Sequence, residues 1–252
     1  MFKFYGEIFV NSDQPDSTNP DWTKPDRTKP DWTNPDWSKI DTVFLDMDGT
    51  LLDLHYDNQV WNQALPEAYA RHRDIEVNQA REILLSHMRE IHGTIEFYSF
   101  DYWREYTGLD LVKLHSQHTH LLDYRPGALE FLRWLKASGK KSIIATNAHR
   151  HSLAVKETRV KLSDEVASVV SSQDFQAPKE SRDYWSAMQA LYPFDPERSM
   201  FIDDNEPVLD HARDFGIKDL RTIITPDSQR PPRDNLSYPS FDHFHELRGL
   251  TP

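Results

Sequence analysis

From about residue 40 onward, short apolar runs alternate with stripes of apolar residues at helical spacing. Residues 41–46 read DTVFLD, an apolar run that stops at a carboxylate, and predict a buried parallel strand. MDGT follows as a sharp turn in which Gly49 can take unusual φ. Residues 55–122 are helical in pattern and rich in aromatics. Val77, Ala80, Leu84, Met88 and Ile91 recur along one face. Further helices are predicted over 97–106, ending near Gly108, and over 110–118, with no strand in this stretch.

Beyond Pro126 the pattern changes. Ala128, Phe131, Leu132 and Leu135 form a helical stripe closed by Gly139. Strands are predicted over 141–147, 165–172, 199–204 and, as the last one, 220–225. Helices are predicted over 152–160, 179–191 and 206–215, the last closed by Gly216. This alternation implies a parallel sheet with right-handed crossovers. The expected fold is therefore an α/β, doubly wound parallel-sheet core, with an all-helical insert after its first strand. A proline-rich polar tail from Pro226 carries a short helix near 241–247. The organisation expected is a core of residues 40–54 and 123–252, a helical unit of residues 55–122, and a separate arm of residues 1–39. Ligands of such sheets bind beyond the carboxyl ends of the strands, which places Asp46, Thr146, Asp203 and Asp204 on one rim.

The arm is set apart by a tandem pentapeptide over 14–38, QPDST, NPDWT, KPDRT, KPDWT, NPDWS. A proline at every fifth position removes an amide donor and fixes φ, which blocks both helix and central strand. Two readings follow, a docking arm using Trp22, Trp32 and Trp37, or a repeat expansion that stays disordered. Composition favours the second.

Charge and composition narrow the chemistry. The 252 residues carry a formal net charge of -12 and no cysteine. Disulfides, zinc–thiolate sites and thiol nucleophiles are excluded. The acidic balance argues against nucleic-acid binding, although a bound cation can reverse the local field for a small anion. No apolar run approaches the ~20 residues that span a bilayer, so no membrane association is expected. The opening segment MFKFYGEIFV is broken by Glu7 and lacks a small-residue cleavage site, so a cytoplasmic protein is expected.

Four segments carry candidate chemistry. Asp46 can attack phosphorus as a nucleophile, while Asp48, two residues on and lifted by the turn, can act as acid and then base. The same Asp-x-Asp-Gly pattern occurs in plain turns and calcium loops, but here no ligand ladder or closing glutamate follows. Thr146 and Asn147 end a strand and offer donors to phosphate oxygens. Lys179, placed at the start of a helix, can reach phosphate and nucleophile as a point charge. Asp203 and Asp204 end a strand as adjacent carboxylates whose repulsion a divalent cation relieves; Asp204 or Asn205 can also cap the next helix. His115, His118 and His120 suggest a metal cluster by count, but their spacing favours a solvated helix end. His149 and His151 lie close to the expected site.

LDMDGTLLD (residues 45–53), IIATN (143–147), PK (178–179) and FIDDNEPVLDHARDFGI (201–217) together resemble the four motifs of the haloacid dehalogenase (HAD) superfamily, in order. The resemblance covers about residues 40–225. It implies Asp46 as nucleophile, Asp48 as acid/base, and Thr146 and Lys179 as holders of the phosphoryl group. It also implies a Mg2+ site made by Asp46, the Asp48 backbone carbonyl and Asp204, with Asp203 adjacent. The fourth motif departs from the usual Gly-Asp form, with Asp203 in place of the glycine. The division of labour between Asp203 and Asp204 stays open. Asp48 separates the chain from the dehalogenase branch, which lacks that acid.

LDLHYDNQVW (52–61), FDYWREYTGLDL (100–111) and KASGKKSIIATNAHRHSLAVK (136–156) further resemble the bacterial GMP/IMP 5′-nucleotidases of this superfamily. The expectation is a phosphatase acting on a small phosphate ester, a purine mononucleotide. Residues 55–122 would form a cap, with Phe97, Tyr98, Phe100, Tyr102 and Trp103 available either to stack a base or to fill the cap core. Two rivals remain: a phosphatase or phosphomutase acting on a sugar phosphate or phosphoglycolate, and a non-catalytic scaffold presenting the proline–tryptophan arm.

Overall fold

A computed structural model of the chain describes residues 34–248. The expectations for Trp22, Trp32 and the other residues of 1–33 lie outside the described residues. Six strands form one parallel sheet in the order β3-β2-β1-β4-β5-β6. These are β1 (Thr42–Leu45), β2 (Lys141–Thr146), β3 (Ser168–Ser171), β4 (Ser199–Ile202), β5 (Asp219–Ile223) and β6 (Ser240–Phe241). β1 and β4 are buried along their whole length, as strands covered on both faces must be.

Side-chain alternation divides the core in two. Val43, Leu45, Ile144, Met200 and Ile202 point to one face, where they join Phe131 and Leu132 of α6 (Ala128–Ala137) and Leu153 of α7 (Arg150–Val160). Phe44, Ile143, Ala145 and Phe201 point to the other, against Trp185 of α8 (Arg182–Leu191) and Leu209 of α9 (Glu206–Phe215). The sheet is thus wound on both sides, as the alternating pattern predicts. Strand order reverses between β1 and β4, and the crevice opens there.

Between β1 and β2 the chain is helical. α1 (His55–Gln59) runs through a π-turn at Val60–Ala64 into α2 (Leu65–Arg73). α3 (Val77–Glu90), α4 (Phe100–Thr107) and α5 (Leu111–Ser116) follow. The predicted stripe buries Ala80, Leu84 and Met88, while Val77 at the first turn is exposed. Ser99 caps α4 by accepting from the Tyr102 amide, and Gly108 ends it at φ 74°. The apolar cluster runs unbroken from the first sheet face into this insert.

Three expectations change. Order begins before residue 40: Trp37 is half-buried, edge-on to Trp134 with centroids 4.7 Å apart, and its Nε1 donates to the Leu247 carbonyl at 2.8 Å. Its large apolar ring gains more from docking on α6 than the flanking prolines lose. β5 is not the last strand, because β6 adds a further parallel pairing, Thr222 with Ser240 and Ile223 with Phe241. Two residues are too short for any periodicity to show. The helix that follows Lys179 starts only at Arg182, with Ser181 as its cap, so Lys179 sits in a turn.

Candidate active site

The β1–β4 ladder brings the site together. Leu45 pairs with Ile202, and the Asp46 amide donates to the Ile202 carbonyl at 2.9 Å. Asp46 and Asp203 therefore leave their strands side by side. Between them stands Lys179, with Nζ 2.5 Å from Asp46 Oδ1 and 2.7 Å from Asp203 Oδ2. All three residues are buried. Burial works against the charge on Lys179, yet the Asp203 and Asp46 carboxylates outweigh it and raise its pKa, so it stays an ammonium. Burial raises the carboxyl of Asp46 and, further, that of Asp203, despite the pull of Lys179.

The Asp48 turn closes one side. Gly49 has φ 89°, and a β-carbon there would lie 2.7 Å from the Asp204 carboxylate. Both the backbone conformation and the approach of Asp204 demand glycine. Asp204 is further fixed through its backbone. Its amide donates to Thr50 Oγ1 at 3.1 Å, and its carbonyl accepts from Arg233 Nη1 at 2.7 Å. Burial, then the Asp46 charge, push the Asp204 carboxyl up to about 7.

Asp203 and Asp204 are distinguished by their partners. Asp203 Oδ2 faces Lys179 and its Oδ1 accepts from the Asn205 amide at 2.8 Å. The Asp204 carboxylate has no hydrogen-bond partner among the described residues. The helix-capping role considered for Asp204 or Asn205 does not hold, since α9 has no side-chain cap. Asp46, Asp203 and Asp204 each present a carboxylate oxygen, and these atoms lie within 4.8 Å of one another. Crowded, desolvated, hard oxygen donors of one sign fit a divalent cation such as Mg2+.

Thr146 is buried on the rim of β2, with Oγ1 accepting from the Ala148 amide at 3.0 Å and its hydroxyl proton left to donate. Asn147 lines the cleft beside it. Its Oδ1 accepts from the Lys179 amide at 2.9 Å and its Nδ2 donates to Glu180 at 2.9 Å, so both ends of the amide are engaged in holding the Lys179 turn. Tyr98, from the insert, donates to the other Glu180 oxygen at 2.6 Å.

Sequence reasoning missed Lys156. It is 1% exposed on α7, with Nζ 2.7 Å from Asp48 Oδ1 and 3.0 and 2.9 Å from the two oxygens of Asp57 on α1. Burial opposes its charge, but Asp48 and Asp57 prevail and raise its pKa. Burial, then the Asp57 charge, push the Asp48 carboxyl up to about 7 against the pull of Lys156. Lys156 ends the stretch LAVK and is followed by Glu157, Thr158 and Arg159, so nothing local sets it apart.

The histidines divide. His115 is not at a solvated helix end: it is fully buried, with Nδ1 3.1 Å from the Tyr56 hydroxyl. His118 bonds the Leu114 carbonyl through Nδ1. His149 and His151 approach Asp101, each at 3.7 Å. His149 Nδ1 accepts from the His151 amide. The neutral ring then carries its proton on Nε2, which disfavours metal ligation through that atom.

A cleft of about 1000 Å³ holds these groups. Asp46, Asp48, Thr146, Lys179, Asp203 and Asp204 line its floor, and Trp61, Phe97, Tyr98 and Phe100 of the insert line its wall. Tyr102 and Trp103 are not in the wall: Trp103 is fully buried, and Tyr102 stacks on His87. A third wall, also missed, comes from the tail, including Asp227, Arg230 and Arg233. No helix among the described residues is long and apolar enough to cross a membrane.

A model of the haloacid dehalogenase-like hydrolase family matches residues 40–216. The chain is 36% identical over 208 residues to the GMP/IMP nucleotidase YrfG of Escherichia coli (strain K12), covering 82% of this chain and 94% of that one. Among solved structures it is similar to a HAD phosphatase from Thermococcus onnurineus, with a TM-score of 0.70 and 20% identity over 83% of this chain and 97% of that one. A predicted phosphoglycolate phosphatase from Haemophilus somnus aligns with a TM-score of 0.60 and 17% identity, covering 84% and 97%. At these identities the two structures speak to the fold alone.

Proposed function

The chain belongs to the haloacid dehalogenase-like hydrolases, and from that premise we propose that it is a magnesium-dependent phosphatase that removes the 5′-phosphate of the purine mononucleotides GMP and IMP. The observation that carries the chemistry is the buried Asp46–Lys179–Asp203 cluster with Asp48 beside it. The 36%-identical nucleotidase supports the choice of substrate.

An oxygen of Asp46 bonds to phosphorus as the bond to the nucleoside 5′-oxygen breaks. Asp48 gives its proton to the departing oxygen, then takes one from the water that cleaves the aspartyl-phosphate. Thr146 and Lys179 hold the phosphoryl oxygens, and Lys179 keeps Asp46 oriented for attack. Asp46, Asp204 and the Asp48 backbone carbonyl would hold Mg2+, which supplies positive charge against the phosphoryl oxygens. Asp203, already engaged by Lys179 and Asn205, stays beside this set as its support.

The insert, residues 55–122, acts as a cap over the core of residues 40–54 and 123–252. Its aromatic wall offers a stacking surface for a base, at ~1–3 kcal/mol per stacked ring. A cleft of this volume has room for a nucleotide. The test is turnover against a panel of phosphate esters with and without Mg2+. GMP and IMP should lead the panel and chelation should abolish release. Turnover confined to sugar phosphates would overturn the substrate, and turnover of none would overturn the enzyme in favour of a scaffold.

A further inference from the structure

We infer that Lys156, clamped by Asp57, is a positioning residue that holds the general acid/base Asp48 by one carboxyl oxygen and presents the other to the leaving group. This rests on the phosphatase reading above and goes beyond it by assigning a task to a residue outside the four motifs.

Lys156 is boxed in from three sides. Asp57 takes its ammonium with both oxygens, at 3.0 and 2.9 Å. The ring of Tyr56 lies beneath, with Nζ 5.3 Å from its centroid. Tyr56 is itself fixed, because its hydroxyl donates to the His115 carbonyl at 3.1 Å. Asp48 Oδ1 completes the box at 2.7 Å. A lysine stem inside packed protein has little freedom to relax, so Nζ is a fixed point.

A buried structural ion pair would be complete with Asp57 alone. Two opposite charges satisfy the desolvated ammonium, and a second carboxylate leaves the group with an excess negative charge. That second carboxylate belongs to Asp48, in the turn directly after the nucleophile. Lys156 meets Asp48 at Oδ1. Oδ2 has no hydrogen-bond partner among the described residues, and Asp48 lines the cleft. A carboxyl on a turn can rotate, and proton transfer requires it within hydrogen-bond reach of the reacting oxygen. The clamp removes that rotation. Because Asp57 and Tyr56 sit on α1 at the root of the insert, and Lys156 on α7 of the core, the acid is aligned where the two meet.

The proton step that depends on this alignment is limited. As Asp46 bonds to phosphorus and the ester bond breaks, an alkyl leaving oxygen takes the proton from Asp48. A p-nitrophenolate leaves as the anion and takes none. Misaligning Asp48 should therefore slow alkyl esters selectively. Loss of one positive charge near a dianion, or a general loss of folded enzyme, affects both esters alike and cancels in their ratio.

The experiment measures kcat/KM of the full chain with Mg2+ for p-nitrophenyl phosphate and for the best alkyl phosphate of the panel. It uses wild type, Lys156→Met and Asp57→Asn. Lys156→Met should lower the alkyl ester by ~10²–10⁴-fold, the range of general acid catalysis, and the aryl ester by less than ~10-fold. Asp57→Asn, which keeps the lysine and the shape of the clamp, should shift the ratio in the same direction by ~10-fold. If Lys156→Met does not fold, Asp57→Asn alone decides. An unchanged alkyl-to-aryl ratio in the folded variants overturns the proposal. Failure of the wild type to cleave either ester overturns instead the phosphatase reading on which it rests.

Discussion

Asp46 and Asp203 stand side by side one residue beyond the Leu45–Ile202 pairing, bridged by a single lysine nitrogen at 2.5 and 2.7 Å. In a parallel ladder, neighbouring strands emerge at the same level only if their register matches. The two carboxylates are therefore set in place by the buried apolar residues behind them. Lys179 offsets part of their repulsion, and the remaining negative charge fits the cation proposed above.

Replacing Asp46 with asparagine should leave a folded protein with turnover reduced by at least ~10³-fold, since an amide does not replace the attacking carboxylate. Circular dichroism establishes folding, and phosphate release measures turnover. Retained activity would assign the nucleophile elsewhere.

Asp204→Asn acts on the metal. Its carboxylate, unlike those of Asp46 and Asp203, has no hydrogen-bond partner among the described residues, so its loss should weaken Mg2+ binding more than activity at saturation. The Mg2+ concentration for half-maximal turnover should rise by at least the ~10–100-fold typical of losing a residue that only supports a ligand. A Mg2+ titration that overlays the wild type would move the ligand to Asp203.

Tyr98→Phe cuts the link from the insert to Glu180, and through Asn147 to the Lys179 turn. A hydrogen bond to a charged acceptor contributes roughly 1.5–3 kcal/mol. Since this one is half-exposed, the lower end applies, and kcat/KM should fall by about tenfold. The melting temperature should fall by no more than ~3–6 °C. A fall in melting temperature without a kinetic effect would make the contact structural.

His115 predicts a pH dependence of stability rather than of rate. Burial, with Lys156 and His118 adding to it, holds its pKa well below the usual imidazole value. Below pH 6.5 the unfolded chain binds a proton that the folded chain refuses. Stability is then full above that pH and falls as pH drops, by about 1.4 kcal/mol per unit, until the folded pKa is reached. Urea unfolding between pH 5 and 7.5 should show this slope in the wild type and a shallower one in His115→Phe. Parallel slopes in the two proteins would count against it.

Much of this molecule was legible beforehand, and the reason is local. β1, β2 and β4 announce themselves as apolar runs ending in Asp46, Thr146 and Asp203, and α9 matches its expected span because Gly216 marks its end. β6 escaped because two residues carry no period, and its place depends on Thr222 and Ile223 accepting a neighbour. Trp37 was read with the repeat around it, yet it follows the apolar surface of Phe131 and Trp134.

Asp46, Asp48, Lys179 and the Asp203–Asp204 pair of the candidate site were all visible in the chain, because strand ends and short turn motifs keep recognisable surroundings. The partner of a buried charge has no such signature. Lys156 meets Asp57 across 99 positions, and Asn147 Oδ1 reaches the Lys179 amide across 32. The sequence by itself determined most of the elements, their winding and the candidate reactive side chains, since periodicity and turn chemistry act over a few residues. Only the tertiary structure decided which carboxylate each lysine answers, which of two adjacent aspartates is engaged by a lysine, and which aromatics face the cleft. Those outcomes depend on desolvation and distance, which exist only after distant segments have packed together.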